Sequence, residues 1–249
     1  MKQIIYTLLV ISQLTMGQET IITTKIPKNI SAEKIIKKYI KSIGGEENIK
    51  QIETLKKKFI VKIDNVADLH MTGEVLYKTP NLYSSELKIE SLGQIQSTKY
   101  DGENCVMKRY QNNEVISQKI DGKLLNEKIK GFYPFPILEA KKNNSSFKII
   151  EKHISEKTTT YKLYLEDIST TDSLFFFFDA KTYYLSKKEE ISGKTIKTTE
   201  YKEHKEINGV IFPFVEISTI EIEKNIAQKT TNEIIDIIIN KPTGLNAFQ

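Results

Sequence analysis

Residues 73–102 read GEVLYKTPNLYSSELKIESLGQIQSTKYDG, and this stretch decides the fold. Gly73 to Lys78 reads as one strand, and Pro80-Asn81 as the junction after it. Tyr83 lies in a second strand, Tyr100 closes a third, and Asp101-Gly102 marks a tight turn that needs positive φ. No residue here is an obvious catalyst. The pattern predicts an antiparallel sheet able to wrap around something apolar.

The same period of two extends in both directions. Leu55, Phe59, Val61 and Ile63 alternate with lysines at 56, 58 and 62. Strands are predicted at about 70–78, 82–90, 94–100, 104–110 and 114–120. After an interruption over 122–142 they resume at about 147–153, 158–166, 172–178, 183–191, 194–202, 210–222 and 226–239. Asn112-Asn113, Ser192-Gly193 and Asn208-Gly209 supply further turn signals. Within the interruption Leu124, Leu125 and Ile129 suggest a short helix, followed by an apolar, turn-rich connection from Phe132 to Pro136. About a dozen short strands with tight turns argue for one meander, which should curl strongly or close. Pro213 fits an edge or a bulge rather than a central ladder. Leu174 to Phe178 is apolar on both faces, and Ile234 to Ile239 is broken only by Asp236. Such strands need cover from two sides, a core or cavity on one and a helix on the other.

Ahead of the sheet, Ser31 is an N-cap with Glu33 in the first turn. Ile35, Ile36, Tyr39, Ile40 and Ile43 form one apolar face, lysines at 34, 37, 38 and 41 the other, and Gly44-Gly45 the stop. A second short helix is expected over 46–53. Residues 1–17 carry Lys2, the apolar run Ile4 to Ile11 and Thr15-Met16-Gly17, the order of a signal peptide cut near Gly17. Residues 18–30 read as a flexible leader and 31–249 as a single domain. No stretch is long enough for a membrane span, so a soluble, exported product is expected.

Composition narrows function. The formal charge of +5 is carried by lysine, with Arg109 the only arginine. Phosphate and nucleic-acid readers lean on arginine forks, so nucleic acid is not an expected partner. Cys105 is alone and on a strand, which reads as a small buried hydrophobe. Three scattered histidines (His70, His153 and His204) and one cysteine give no metal spacing, and no nucleophile elbow or phosphate loop occurs. No cofactor, no metal and no catalytic residue are expected.

Taken in order, Gly73, Tyr77-Lys78, Pro80-Asn81, Tyr83 and Asp101-Gly102 resemble the outer-membrane lipoprotein-sorting family, the LolA-like carriers. Gly44-Gly45 and Leu55 fit the same order. So do Tyr201-Lys202-Glu203, Ile207-Asn208-Gly209-Val210, Phe212-Pro213, Ile239-Asn240 and Phe248. The resemblance implies a mainly β fold with α elements: a curved antiparallel sheet forming an incomplete, half β-barrel, with N-terminal and central helices as a lid. It further implies a periplasmic carrier, without chemistry, for lipid-modified proteins or other lipophilic ligands. Its partners would be acyl chains and the inner- and outer-membrane lipoprotein machinery, and it would act as a monomer. Two positions depart from the family pattern. Lys56, Lys57 and Lys58 stand where a lid-latching arginine is usual, and Asn104-Cys105-Val106 where tryptophan follows the turn. Alternation, independently of the resemblance, makes Phe59, Val61, Leu87, Ile89, Tyr161, Leu163, Phe176 and Phe178 candidate cavity-lining residues, or plain core. A non-carrier envelope interaction or sensing module on the same fold stays open, as does an envelope lipid or glycan hydrolase.

Overall fold

The computed structural model describes residues 20–66, 69–112, 114–166 and 173–249. The expected signal peptide, Asn113 and the first residue of the strand expected from 172 lie outside the described residues. After β1 (Ile21–Thr23) come α1 (Ala32–Ser42), α2 (Glu46–Lys50) and six strands. These are β2 (Thr54–Ile63), β3 (Met71–Lys78), β4 (Leu82–Ile89), β5 (Gly93–Tyr100), β6 (Cys105–Gln111) and β7 (Glu114–Ile120). Helices α3 (Gly122–Ile129) and α4 (Pro136–Lys142) follow. The chain then runs through β8 (Ser146–Ile154), β9 (Thr159–Glu166), β10 (Ser173–Asp179), β11 (Leu185–Ser192), β12 (Thr195–Ile207), β13 (Val210–Ile222) and β14 (Asn225–Ile239). A 3-10 turn at Leu245–Phe248 ends it.

All fourteen strands form one antiparallel sheet in the order β1-β8-β9-β10-β11-β12-β13-β14-β2-β3-β4-β5-β6-β7. Two meanders are thus zipped together where β14 pairs with β2, Ile234 opposite Phe59. The sheet stays open, with β1 and β7 as its edges. A sheet of this breadth cannot stay flat. Bulges at Phe177/Phe178, Ile220/Glu221 and Ile234/Asp236 help to bend it. The connection from β7 to β8 leaves one edge and returns beside the other. α3 and α4 lie on that connection, so topology alone carries them across the mouth of the half-barrel.

Ser31 caps α1, its hydroxyl accepting from the Lys34 amide at 3.2 Å. The stop is a Schellman motif, with Gly45 N–H to Ile40 O at 2.9 Å and Gly44 N–H to Lys41 O at 3.3 Å. Gly44 has φ +119°, and a Cβ there would sit 2.2 Å from the Gly209 carbonyl oxygen. Only glycine lets the helix end lie against the β12–β13 hairpin. Asn208 and Gly209 both take positive φ in that turn, as an Asn-Gly hairpin requires. Gly73 serves a different need: a Cβ would fall 2.3 Å from the Phe59 ring.

Ile35, Ile36, Tyr39, Ile40 and Ile43 press the α1 stripe onto Leu163, Phe178, Leu185, Val210, Phe212 and Ile237. A smaller cluster joins Tyr100, Cys105 and Ile120 to Leu125, Ile129 and Phe132 under α3. Cys105 is fully buried there, as a small hydrophobe.

Several expectations are corrected in detail. Within the leader expected over 18–30, Ile21–Thr23 pairs with Ile154 to Lys152 at the sheet edge. The second helix stops at Lys50 rather than 53, because Ile52 turns inward and is buried at the start of the sheet. The connection after Phe132 contains a further helix, α4, with Pro136 in its first turn, where the missing N–H costs nothing. The outer face of β10 is covered by lysine rather than by a helix. The Lys187 ammonium lies 3.8 Å above the Phe177 ring and Lys162 lies 4.4 Å above Phe175. Lys162 is held by Glu151 and Glu189, so its aliphatic stem covers the rings while its head stays paired. In β14 the bulge turns Ile235 out to solvent. Pro213 sits in an interior strand, but β13 meets β14 only from Val215 onward. Over residues 210–214 that side of β13 faces α1 instead, with Ile211 N–H bonding Ile43 O at 3.0 Å. The proline therefore removes no ladder hydrogen bond.

Candidate functional site

The segment from Lys130 to Pro136 crosses the concave face and drives three aromatic rings into it. Phe132 stacks on Tyr83 with centroids 4.0 Å apart and planes 6° apart. Tyr133 meets Tyr77 edge-on at 5.5 Å and Phe135 at 6.1 Å, and Phe135 reaches Phe212 at 5.8 Å. Tyr77, Tyr83 and Tyr100 stand directly opposite one another on the neighbouring strands β3, β4 and β5, so the sheet offers a row of aromatic rings to the segment. Tyr77 is itself fixed, its hydroxyl donating to Pro80 O at 2.9 Å.

Three cavities flank this segment. One, of about 300 Å³, lies between it, α1 and the strands, and Tyr39, Tyr77, Tyr83, Phe132, Phe135 and Phe212 line it. Another, of about 530 Å³, lies between α4 and strands β9 to β12. Its apolar wall is Leu165, Leu174, Phe176, Pro136 and Ala140. Lys130, Gly131, Pro136 and Lys188 border both of these. A third, of about 760 Å³, lies beside α3 and is lined by Tyr77, Tyr100, Ile129, Phe132 and Tyr133. Each falls within the usual range for ligand pockets, about 300 to 1,000 Å³.

The polar lining of the first cavity includes an ion pair. Lys57 and Glu216 meet there at 3.1 Å, their side chains 25% and 20% exposed. Tyr201 lies beside them, and burial, with Glu216 adding to it, pushes its phenol well above the ordinary range. His204 stacks on Tyr184 at 4.7 Å, and burial holds its imidazole below 6.5. Among the described residues no group of three or more His, Cys, Asp or Glu is placed to hold a metal ion. No helix of the described residues is long and apolar enough to cross a membrane.

The structure distributes the eight residues chosen from alternation. Phe176 lines the cavity between α4 and strands β9 to β12. Tyr161, Leu163 and Phe178 lie in the core with α1, the Phe178 ring 5.3 Å from Tyr39. Phe59 packs at the margin of that core. Val61 is buried, while Leu87 and Ile89 are half-buried; all three lie on the β2–β4 strands. The segment's own rings, Lys188 and Glu216 are not among those eight, and Lys57 enters only as a departure from the family pattern. Two signals pointed to them: Lys57 shares the face of Leu55, two residues away, and three aromatics crowd between Gly131 and Pro136. Of the three lysines at 56–58, only Lys57 lines the cavity; Lys56 pairs with Glu74 at 2.6 Å.

No protein-family model matches the chain, and no curated protein matches it by sequence. Solved structures do match. A LolA superfamily protein from Nitrosomonas europaea superposes with a TM-score of 0.57 at 13% identity, covering 88% of this chain and 98% of that one. A domain from Vibrio parahaemolyticus, described as an outer membrane lipoprotein-sorting protein, gives 0.56 at 11% identity, covering 86% and 97%. At such identities the likeness concerns the backbone, and it spans nearly the whole of both neighbours. The chain has the LolA-like fold.

Proposed function

We propose that the protein binds lipophilic ligands, the acyl chains of lipid-modified proteins or of free lipids, and carries them through the periplasm after cleavage near Gly17. The observation that carries this reading is the set of cavities under a segment whose aromatic side chains can be replaced by an acyl chain of similar polarity. Each methylene withdrawn from water is worth about 0.8 kcal/mol, so binding needs no chemistry. Phe176 would form part of the wall, Phe59, Val61, Leu87 and Ile89 would extend it along β2 and β4, and Tyr161, Leu163 and Phe178 would join it where α1 lifts. The lipoprotein-sorting description of the Vibrio neighbour supports the same ligand class. Inner- and outer-membrane lipoprotein machinery would be the donor and acceptor, and a monomer suffices.

One observation favours a second reading, a non-carrier envelope module on the same fold. Lys57 is engaged by Glu216, so it is not available to latch a lid as the family's arginine would. A displacement assay separates the two. A fluorescent C16 fatty acid should bind the purified protein saturably, and acylated peptide should displace it. Solvent extraction of the protein as purified should yield lipid by mass spectrometry. Absence of both would overturn the carrier reading and leave the module.

A further inference from the structure

The cavity between α4 and strands β9 to β12 has mixed lining. Leu165, Leu174 and Phe176 supply its apolar part, and Lys130, Lys188, Lys197, Glu127, Glu139 and Glu190 its charges. With three lysines and three glutamates the lining carries both signs and no formal excess of either. The signs alternate at short range. Lys188 Nζ lies 2.8 Å from Glu190 Oε1, and Glu190 stands opposite Lys197 across the β11–β12 ladder. Lys188 lies directly across the ladder from Phe176, and Glu190 from Leu174. The strand ladder therefore sets charged and apolar side chains side by side in one space.

We infer that this cavity takes an amphiphile whose head group carries both a cation and an anion, of the phosphoethanolamine type, with its chain along the Phe176 wall. The inference rests on the proposed lipid-binding reading and sharpens it. A head with a single negative charge meets three carboxylates as well as three lysines, and a single positive charge meets the converse. A head with both charges engages both sets: its phosphate takes the lysines and its ammonium the glutamates, in charge-assisted hydrogen bonds. It thereby exchanges the Lys188–Glu190 bridge for equivalent pairs and leaves no charge without a partner. A neutral acyl glyceride satisfies only the apolar wall.

Competition against the fluorescent fatty acid tests this on the full chain, using lipids of one acyl length. Lysophosphatidylethanolamine should displace the probe about tenfold more tightly than lysophosphatidylglycerol, monoacylglycerol or an alkyltrimethylammonium. Free phosphoethanolamine should compete at millimolar concentration or not at all, because the chain supplies the affinity. Lys188→Gln and Glu190→Gln should each bring the zwitterionic lipid down to the level that monoacylglycerol shows in the same variant. The swap K188E/E190K should restore part of the preference. Equal displacement by all four lipids, or tightest displacement by the anionic one, overturns the inference and leaves lipid binding standing. Phosphoethanolamine binding as tightly as its lysolipid would assign the site to a free headgroup metabolite and overturn it too. Failure of every amphiphile to displace the probe overturns both readings.

Discussion

Replacing Gly44 by alanine should cost far more than the same change one residue later. Both glycines have positive φ, +119° at Gly44 and +86° at Gly45. Gly45, with ψ 156°, lies in a region essentially reserved to glycine, so alanine at either position pays a backbone penalty of about 1 to 3 kcal/mol. The surroundings differ. A Cβ on Gly45 meets nothing within 4 Å, whereas on Gly44 it lies 2.2 Å from Gly209 O and 3.1 Å from Val210 Cα. Those atoms are backbone and cannot rotate away. Relief requires moving the β12–β13 turn by roughly 1 Å, the gap to ordinary van der Waals contact. That movement strains the Ile211 N–H to Ile43 O hydrogen bond, 3.0 Å long and worth about 1 kcal/mol. It also lifts the end of α1 from Val210 and Phe212. The expectation is about 1 to 3 kcal/mol for G45A and roughly 2 kcal/mol more than that for G44A. Urea unfolding followed by circular dichroism measures both, and an unchanged m-value would show that the unfolded states are comparable. Equal losses for the two variants would refute the close approach between helix end and hairpin, and with it the account of how α1 is seated over the sheet.

Other outcomes follow from the site. Phe132→Ala removes the ring stacked on Tyr83 and should cost about 2 kcal/mol; if the segment gates the cavities, stopped-flow release of a bound fatty acid should also quicken. A double-mutant cycle on Lys57→Ala and Glu216→Ala should return a coupling of about 1 to 2 kcal/mol, because both groups are mostly shielded from solvent; a value near zero would mark the pair as incidental. His204 has its folded pKa below 6.5, so as the pH falls the unfolded chain takes up the proton first. Its contribution is therefore present above about pH 6.5 and lost as the pH falls through the folded value. His204→Gln should flatten the stability profile between about pH 7 and 5, and an unchanged slope would assign the loss to other groups.

Strand positions were legible because each is a local pattern. The run predicted over 210–222 is β13 residue for residue, and the α1 cap at Ser31 and stop at Gly44-Gly45 were read from single residues. The second helix of the interruption was not legible. Pro136 reads equally as the end of a loop and as the first turn of a helix, and the seven residues of α4 are too few for a period to emerge. The candidate wall was legible only as a face. Alternation puts Phe176 and Phe178 on the same side of β10, but one borders a cavity and the other lies beneath α1. Distance along the strand separates them, and sequence does not say which helix covers which end.

The amino-acid sequence by itself determined α1, α3 and strands β2 to β14, their antiparallel meandering and the demand that the sheet curl. Those follow from side-chain period, turn chemistry and strand number, all of which act between near neighbours. Tertiary structure alone decided that β14 pairs with β2, that the sheet's two edges are left on either side of an open mouth, and that Lys130 to Pro136 crosses it. These depend on contacts between residues far apart in the chain, where many pairings satisfy the same local pattern and only the shared burial of α1, Phe135 and Phe212 selects one.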